Sequence, residues 1–260
     1  EDGWLKGYFN VWESDTKGGT KKSAGAYRDI GYLAHKDYAL HLLDIKKGEL
    51  VLDIGCADGI MMVYCGLLGA EVHGIDISPE YIKKANAYLA RYNIKGEAVI
   101  SDAKHLSFPD NYFDKVVSSD FFEHMSSEDN ILVLKELKRV LKPGGFIVVK
   151  TPNLKYLHFS RLYKILIRLL KLKNPFNVVI AHTTGPDHQH IGLATEGAMI
   201  RGIKKAGFLN FQFYYDLNSK IAKLNYPLAR FFAENYFFRS IFTEDLIVKI
   251  YKPVILSFFQ

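Results

Sequence analysis

The most specific chemical signal in the chain is an apolar run that ends in an acid and a glycine-rich turn, residues 51–59, of sequence VLDIGCADG. Gly55 and Gly59 stand where a Cβ would obstruct a ligand lying against the backbone and where a positive φ is expected. In open α/β sheets, ligands bind beyond the carboxyl ends of the strands, close to a helix N-terminus. The segment therefore predicts a ligand site at the end of a first strand.

Two further acids follow the next two predicted strands. Asp76 ends the second strand, where its carboxylate can accept hydrogen bonds from both hydroxyls of a ribose. Asp102 follows the third strand, where it can accept a hydrogen bond from the exocyclic amine of adenine. A dinucleotide fingerprint requires three glycines, and two of those positions hold Ala57 and Ile60. The spacing thus favours an adenosine-containing cofactor and disfavours NAD.

These residues must be positioned by a regular alternation of strands and helices that begins near residue 48. Strands are predicted at 49–54, 71–77, 97–101, 115–119 and 146–151, and helices at 60–68, 79–92 and 128–141. Ser78 and Pro79 are typical of a helix start, and Pro143-Gly144-Gly145 is interpreted as the stop of the last helix. The alternation predicts an α/β fold with a doubly wound, mainly parallel sheet.

The rest of the chain is less regular. Residues 1–47 are predicted to form a leading arm, and residues 48–260 a single domain with insertions at about 155–192 and 216–245. Further predicted features are a helix at 195–206, a strand at 208–215, an aromatic-rich stretch at 224–242 and an apolar run at 246–259.

Composition limits the class of protein. With 260 residues, 48% of them hydrophobic and 24% charged, the chain is unlike a disordered or disulfide-rich protein. Cys56 and Cys65 are nine residues apart within one turn and the helix after it, so no structural disulfide is expected. Because no apolar run reaches the roughly 18 residues needed to span a bilayer and no signal-peptide pattern is present, we expect a cytoplasmic protein.

The net charge of +6 is concentrated in one segment of the chain. Residues 155–173 contain six basic residues and no acid, so this segment equals the whole excess. The cations at 161, 164, 168 and 171 recur at helical spacing beside leucines and isoleucines, which predicts a basic amphipathic helix. One interpretation is peripheral contact with an anionic membrane or a lipid-linked substrate. The other, slightly favoured, is a helix that packs its apolar side on the domain and leaves its cations in water.

Taken together, the motifs resemble those of the class I S-adenosylmethionine-dependent methyltransferases, most closely the ubiquinone and menaquinone biosynthesis methyltransferases and their small-molecule relatives. Beyond the three acids, the resemblance rests on residues 106–119 (LSFPDNYFDKVVSS), 122–124 (FEH) and 137–145 (LKRVLKPGG). It covers roughly 48–153 and weakly 190–208, and it implies a seven-stranded Rossmann-like sheet.

The resemblance also implies roles for individual residues. In such enzymes the first motif holds the methionine part of the cofactor, the second acid holds its ribose and the third faces its adenine. These roles fall on Asp53, Gly55 and Gly59, with Ala57 in place of a commoner glycine; on Asp76, with Ile77 against the adenine; and on Asp102, with Ala103 beside it. We also expect Ser119, at the end of the fourth strand, to contribute to cofactor binding.

Two histidines are candidates for a base that removes a proton from the methyl acceptor, because imidazole titrates near neutral pH. They are His124, shortly after the fourth strand, and His190. A histidine that caps the loop before Ser126 is an equally good interpretation of His124. His188 and His190 are two residues apart with no third ligand nearby in sequence, so no metal site is predicted.

The predicted activity is methyl transfer from S-adenosylmethionine to a small-molecule, saccharide or lipid-linked acceptor, with oxygen as the favoured acceptor atom. Residues 118–122, SSDFF, lack the motif of enzymes that methylate DNA amines, and no nucleic-acid partner is expected. The alternatives are a non-catalytic partner or membrane-docked scaffold and an NAD-linked reductase. Intact Asp53, Asp76 and Asp102 disfavour the scaffold, and Ala57 and Ile60 disfavour the reductase.

Overall fold

The computed structural model describes residues 38–175, 178, 190–215, 228, 231–232 and 234–254. Its strands are β1 Leu50–Ile54, β2 Glu71–Asp76, β3 Gly96–Ile100, β4 Phe113–Ser119, β5 Leu141–Pro152, β6 Asn210–Tyr214 and β7 Asp245–Tyr251. Its helices are α1 Ile60–Leu67, α2 Pro79–Arg91, α3 Ser127–Val140, α4 Leu154–Leu170, α5 Glu196–Lys205 and α6 Tyr236–Phe242, with a 3₁₀ turn at Phe122–His124. Most of the predicted arm and His188 lie outside the described residues.

The strands form one seven-stranded sheet in the order β3-β2-β1-β4-β5-β7-β6. Strand β1 is parallel to both β2 and β4, and β2 is parallel to β3. Ile54 pairs with Ile75 and Asp76 pairs with Ile100, so the ends of the first three strands are in register. The predicted fold class, a seven-stranded Rossmann-like α/β sheet, is confirmed.

Local sequence explains where the site-bearing helices begin. The Ser78 hydroxyl accepts a hydrogen bond from the Tyr81 N–H, and Pro79 occupies the first turn of α2, where no N–H is needed. Thr195 caps α5 in the same way, through the Ala198 N–H. Helix α1 begins after Gly59, whose φ of 82° is left-handed.

The described residues group into two compact units. The first contains the described residues up to Ser119, together with Glu136–Val148 and the residues from Tyr251. The second contains the described residues of Asp120–Lys135 and Val149–Ile250. The core of the first unit includes fully buried Leu52, Ile54, Met62 and Phe113. The predicted boundaries at 47/48 and of the two insertions stay predictions.

The helix before Pro143-Gly144-Gly145 ends at Val140, as predicted, but the predicted start of the fifth strand at residue 146 is wrong. Strand β5 begins at Leu141, directly after α3, and runs through these residues to Pro152. The Gly144 N–H donates to the Lys252 carbonyl oxygen at 3.0 Å, and the Lys252 N–H donates to that of Gly145 at 2.9 Å. The pairing partner lies more than 100 residues away, beyond the reach of local turn signals.

Candidate functional site

The turn after β1 has the backbone that the glycine pattern predicts. Gly55 and Gly59 have φ values of 69° and 82°, and Ala57 shares the left-handed region at 46°. The N–H groups of Gly55 and Cys56 both donate to the Ile75 carbonyl oxygen at 2.9 Å. A Cβ at Gly59 would lie 2.7 Å from the Cβ of Ala85 on α2. The turn is therefore held tightly against β2 and α2, and its glycines are required by geometry.

Asp76, at the end of β2, lies next to this turn. Its Oδ2 accepts a hydrogen bond from the Ala57 N–H at 3.1 Å, and its Oδ1 accepts one from the Ser78 N–H at 2.9 Å. Each carboxylate oxygen can accept two hydrogen bonds, so one place on each oxygen remains for a ribose hydroxyl. The backbone bonds fix the carboxylate plane in advance of any ligand.

The side chains beside the two acids suit an adenine ring. Ile77, next to Asp76, is 77% exposed although it is apolar, which is the state expected of a side chain that a bound ring would cover. Asp102 is exposed, and its Oδ1 accepts a hydrogen bond from the Lys104 N–H at 2.9 Å. Ala103 is buried. Exposed apolar Ile77 and the acceptors Asp76 and Asp102 are the groups expected around the adenosine part of a cofactor, and their contacts to it stay predictions.

Asp53 and Ser119 are the two predicted cofactor residues whose polar side chains are buried. Both are buried, Asp53 within β1 and Ser119 at the end of β4. Asp53 pairs in register with Val117 of β4 and Gly74 of β2, so it lies on an interior strand of the sheet. Their contacts to a cofactor stay predictions.

The second unit brings the two predicted catalytic histidines together. The ring centroids of His124 and His190 are 4.5 Å apart, with their planes tilted by 39°. His124 is exposed and His190 is half-buried. Residues 66 positions apart in the chain therefore meet beside the 3₁₀ turn.

Glu123 completes this cluster and was missed in the sequence. Ligand-type atoms of Glu123, His124 and His190 all lie within 4.8 Å of one another. Glu123 is only 1% exposed, and its Oε2 accepts a hydrogen bond from the Thr151 hydroxyl at 3.0 Å. Burial raises the pKa of Glu123 to about 7, with the Asp120 carboxylate adding to the rise. The only sequence signal was its position beside His124.

Buried Lys150 provides the cationic partner in this part of the fold. Its Nζ lies 2.9 Å from Oδ1 of Asp120 and 3.1 Å from Oδ2 of Asp245. Burial alone would lower the pKa of Lys150, but the two carboxylates more than reverse this and hold it above its ordinary value. Lys150 thus stays charged and its charge is shared by two acids.

A cavity of about 170 Å³ lies within the second unit, between α3, α5 and strand β5. Its lining includes Leu134, Val149 and Ile203, and also Phe122 and Thr151, which flank Glu123 in the fold. Pockets for drug-sized ligands are about 300–1,000 Å³, so this cavity has room for a small apolar group and not for a whole prenylated acceptor.

Helix α4 carries the predicted basic stripe, but its apolar side is not packed away. Leu157 is buried, whereas Leu162, Leu166, Leu169 and Leu170 are exposed, the first by 66% and the last by 72%. The favoured interpretation of a packed apolar side is therefore wrong for these four leucines. Arg161 is exposed as well, and residues 155–173 contain no acid, so both leucines and a cation of this helix face solvent.

One end of α4 is firmly anchored in the second unit. Asn153 caps the helix by accepting from the Lys155 N–H, and its amide donates to the carbonyl oxygens of Ser240 and Thr243 at 3.0 Å each. Phe159 packs against Phe242 with ring centroids 5.0 Å apart. Among the described residues, no helix is both long and apolar enough to cross a membrane.

The cysteines have no role in this chemistry. Cys56 and Cys65 are both buried free thiols, as expected from their spacing. Burial, with the charge of Asp53 added, raises the pKa of each thiol far above its ordinary value. Both groups are therefore protonated and poor nucleophiles at neutral pH.

Comparison with known proteins finds similar methyltransferase sequences. Residues 52–149 match the methyltransferase domain family. Over 110 residues the chain is 41% identical to the 2-methyl-6-phytyl-1,4-hydroquinone methyltransferase of Synechocystis sp., covering 42% of this chain and 34% of the relative. Over 143 residues it is 29% identical to the ubiquinone biosynthesis O-methyltransferase of Xanthomonas oryzae pv. oryzae, covering 55% and 56%. The chain thus spans a third to just over half of the length of these relatives.

The fold is also found among solved structures. Phosphoethanolamine N-methyltransferase 2 of Haemonchus contortus, solved in complex with S-adenosyl-L-methionine, aligns with a TM-score of 0.60 and 18% identity. The alignment covers 85% of this chain and 52% of that one. Residues 52–149 therefore match a methyltransferase domain, and the chain shares the fold of this structure solved with S-adenosyl-L-methionine.

Proposed function

We propose that this protein transfers the methyl group of S-adenosylmethionine to a hydroxyl oxygen of an apolar small molecule of the quinol type. The observation that carries the proposal is the meeting of the Gly55–Gly59 turn, Asp76 and Asp102 at the ends of three parallel strands in register. A non-catalytic scaffold has no need of a carboxylate held in place by two backbone N–H groups, as that of Asp76 is.

Binding and alignment are the main tasks of the chain. Asp76 accepts from the ribose hydroxyls, Ile77 covers the adenine, and Asp102 accepts from its amine. When bound, S-adenosylmethionine supplies a sulfonium methyl group that the acceptor oxygen takes as the carbon–sulfur bond breaks, leaving S-adenosylhomocysteine. His124 and His190 serve the remaining step, removal of the hydroxyl proton, which a positioned base accelerates by about 10²- to 10⁴-fold.

The apolar character of the acceptor is inferred from two observations. Both reported relatives are named for quinone-type chemistry, one for a phytyl hydroquinone and one for ubiquinone biosynthesis. In this chain, exposed Leu162, Leu166 and Leu170 on α4 form an apolar surface within the second unit. A prenylated or otherwise lipid-linked acceptor would be found at a membrane surface, where such a helix can bind.

We propose accordingly that α4 attaches the protein peripherally to anionic membranes. Its cations, Arg161, Lys164 and Arg168, favour an anionic surface by about 1 kcal/mol each, and its exposed leucines favour the interface. This proposal explains why apolar side chains are exposed on a helix that has no acidic residue.

The acceptor proposal is tested by incubating the protein with methyl-labelled S-adenosylmethionine and a short-chain catechol or hydroquinone. We expect label in a methyl ether, identified by its carbon chemical shift. A labelled methyl group on a ring carbon would mean that carbon, and not oxygen, is the acceptor atom. Labelling of a saccharide or a polyprenol-linked sugar in place of the quinol would overturn the quinol class.

The role of the histidines is tested with His124→Ala and His190→Ala. We expect at least one variant to lower kcat by about 10²- to 10⁴-fold while the affinity for S-adenosylhomocysteine stays within about twofold. Full activity in both variants would show that positioning alone suffices. Ser126→Ala serves as the control for disturbance of the same loop.

A further inference from the structure

We infer that Glu123, His124 and His190 form a binding site for one divalent transition-metal ion, of the Zn²⁺ type. Two imidazoles and a carboxylate are the ligand set of many mononuclear sites that leave positions open for water or substrate. All three residues belong to the second unit, and their ligand-type atoms already lie within 4.8 Å of one another. The absence of a third ligand, which disfavoured a metal site in the sequence, is removed by Glu123.

The backbone holds the two halves of the cluster together. The Gly192 N–H, two residues after His190, donates to the Glu123 carbonyl oxygen at 2.8 Å. A Cβ at Gly192 would lie 2.0 Å from the Met125 carbonyl oxygen, so only glycine allows this close approach. The Asn130 amide also donates to the Phe122 carbonyl oxygen at 2.9 Å. The segment that carries His190 is therefore fixed against the 3₁₀ turn that carries Glu123 and His124.

The charges nearby favour a cation. Three carboxylates, those of Asp120, Glu123 and Asp245, interact with a single buried lysine, Lys150. Among these four side chains, the carboxylates outnumber the lysine by two. Glu123 is the member that Lys150 does not contact directly, since Lys150 lies against Asp120 and Asp245. A divalent cation at Glu123 would balance this excess.

The ligand set also determines the kind of cation. Imidazole nitrogen suits Zn²⁺, Co²⁺, Fe²⁺ and Cu²⁺, whereas Mg²⁺ and Ca²⁺ prefer sites made of oxygen. Ligand bonds of about 2.0–2.2 Å require donor atoms about 3.3 Å apart, so the side chains must approach by at most about 1.5 Å. Exposed His124 can rotate to make this approach. The Thr151 hydroxyl keeps the Glu123 carboxylate oriented, as outer hydrogen bonds do at metal sites.

A metal ion at this site would assist the proposed methyl transfer. Only this catalytic use, and not metal binding itself, rests on the proposed function. An acceptor hydroxyl bound at an open position would have its pKa lowered by the cation and would release its proton to water. His124 and His190 would then act as ligands rather than as the base itself. Metal binding can be measured without any acceptor, so the two proposals can fail separately.

The test is titration of the chelator-treated full chain with Co²⁺, whose visible absorption bands report imidazole and carboxylate ligands. We expect one Co²⁺ per chain, displaced stoichiometrically by Zn²⁺. His190→Gln and Glu123→Gln should each abolish the bands, and His124→Gln, a change at an exposed side chain, should weaken binding at least tenfold. His41→Gln, a change of an exposed histidine outside the cluster, should leave them intact.

Folding of each variant is checked by circular dichroism and thermal unfolding, and its affinity for S-adenosylhomocysteine shows that the predicted cofactor residues, which are in the other unit, are undisturbed. Absence of Co²⁺ bands in the native chain would overturn the inference, and so would bands that persist in both His190→Gln and Glu123→Gln. Methyl transfer by a chain that binds no metal would leave the proposed function standing. Metal binding without methyl transfer to any hydroxyl would support the metal site and overturn the proposed function.

Discussion

The Ala57 N–H donates a hydrogen bond to Oδ2 of Asp76 at 3.1 Å, which joins the turn after β1 to the end of β2. One carboxylate thus both stabilises the glycine turn and presents acceptors to a ribose. Since hydrogen bonds to an ionised group contribute about 1.5–3 kcal/mol each, this residue has a larger role than its position at a strand end suggests.

Replacing Asp76 with alanine should lower the affinity for S-adenosylhomocysteine at least tenfold, because both ribose acceptors and the bond to Ala57 are lost. Isothermal calorimetry measures the dissociation constant. Glu97→Ala removes an exposed carboxylate from neighbouring β3 and should leave affinity unchanged. An unaltered dissociation constant in a folded Asp76→Ala variant would contradict the assignment of this edge as the cofactor site.

Ala57 offers a second test of the same turn. Its φ of 46° lies in the left-handed region, which costs a residue with a Cβ about 1 kcal/mol. Ala57→Gly should therefore raise the free energy of unfolding by up to about 1 kcal/mol while keeping the N–H that Asp76 accepts. Chemical denaturation measures the stability, and calorimetry should show affinity within about threefold of the native chain. A loss of stability would mean that the Ala57 methyl group makes favourable contacts.

The first four strands could be predicted to within about two residues because their signals are local. Alternating apolar runs and the Ser78-Pro79 helix start are features of neighbouring residues, and the structure keeps them. For strand β7, Asp245–Tyr251, the sequence predicts only an apolar run, and the predicted start of β5 is five residues after its start at Leu141. Both errors concern pairing between segments about 100 residues apart, which no local pattern encodes.

The candidate site also has one part that local sequence predicts and one part that it does not. The cofactor edge follows from strand ends and glycines, each recognisable in place. The cluster of Glu123, His124 and His190 depends on a backbone bond between Gly192 and Glu123, two residues far apart in the chain. Glu123 also gave no signal by itself, because a buried carboxylate looks the same in sequence as a solvated one.

Glu136 gives a pH-dependent test of the first unit. It lies on α3 beside Arg139, whose guanidinium donates to both Glu136 oxygens and to the carbonyl oxygens of Leu106 and Phe108. The bonds from Arg139 lower the pKa of Glu136 below its ordinary value, with the Leu106 N–H contributing. These bonds connect the segment between β3 and β4 to α3.

Glu136→Gln should lower the free energy of unfolding by about 1 kcal/mol at pH 7. Since the folded-state pKa is depressed, this stabilisation is fully present above the unfolded-state value near 4.3 and is lost as pH falls through the folded-state pKa. Urea denaturation of both chains from pH 7 to pH 3 should show the difference shrinking with acidity. Glu97→Gln provides the baseline, and a difference that is constant with pH would exclude the charge of Glu136 as its cause.

The basic surface of α4 can be tested by vesicle co-sedimentation. Changing Arg161, Lys164, Arg168 and Lys171 to glutamine should weaken binding to anionic vesicles at least tenfold, because each cation contributes about 1 kcal/mol near such a surface. A control with the same change of charge is glutamine at Lys47, Lys83, Arg91 and Lys95, exposed cations of the first unit. This control should sediment as the native chain does.

Salt separates the two contributions to α4 binding. Electrostatic attraction weakens as ionic strength rises and the Debye length falls to about 8 Å near physiological salt, whereas burial of apolar side chains in the interface persists. Leu162→Gln combined with Leu170→Gln should therefore reduce the binding that remains at high salt, while the cation variant reduces binding mainly at low salt. Equal sedimentation of the native, cation and leucine variants under both conditions would mean that α4 is an exposed helix with no membrane contact.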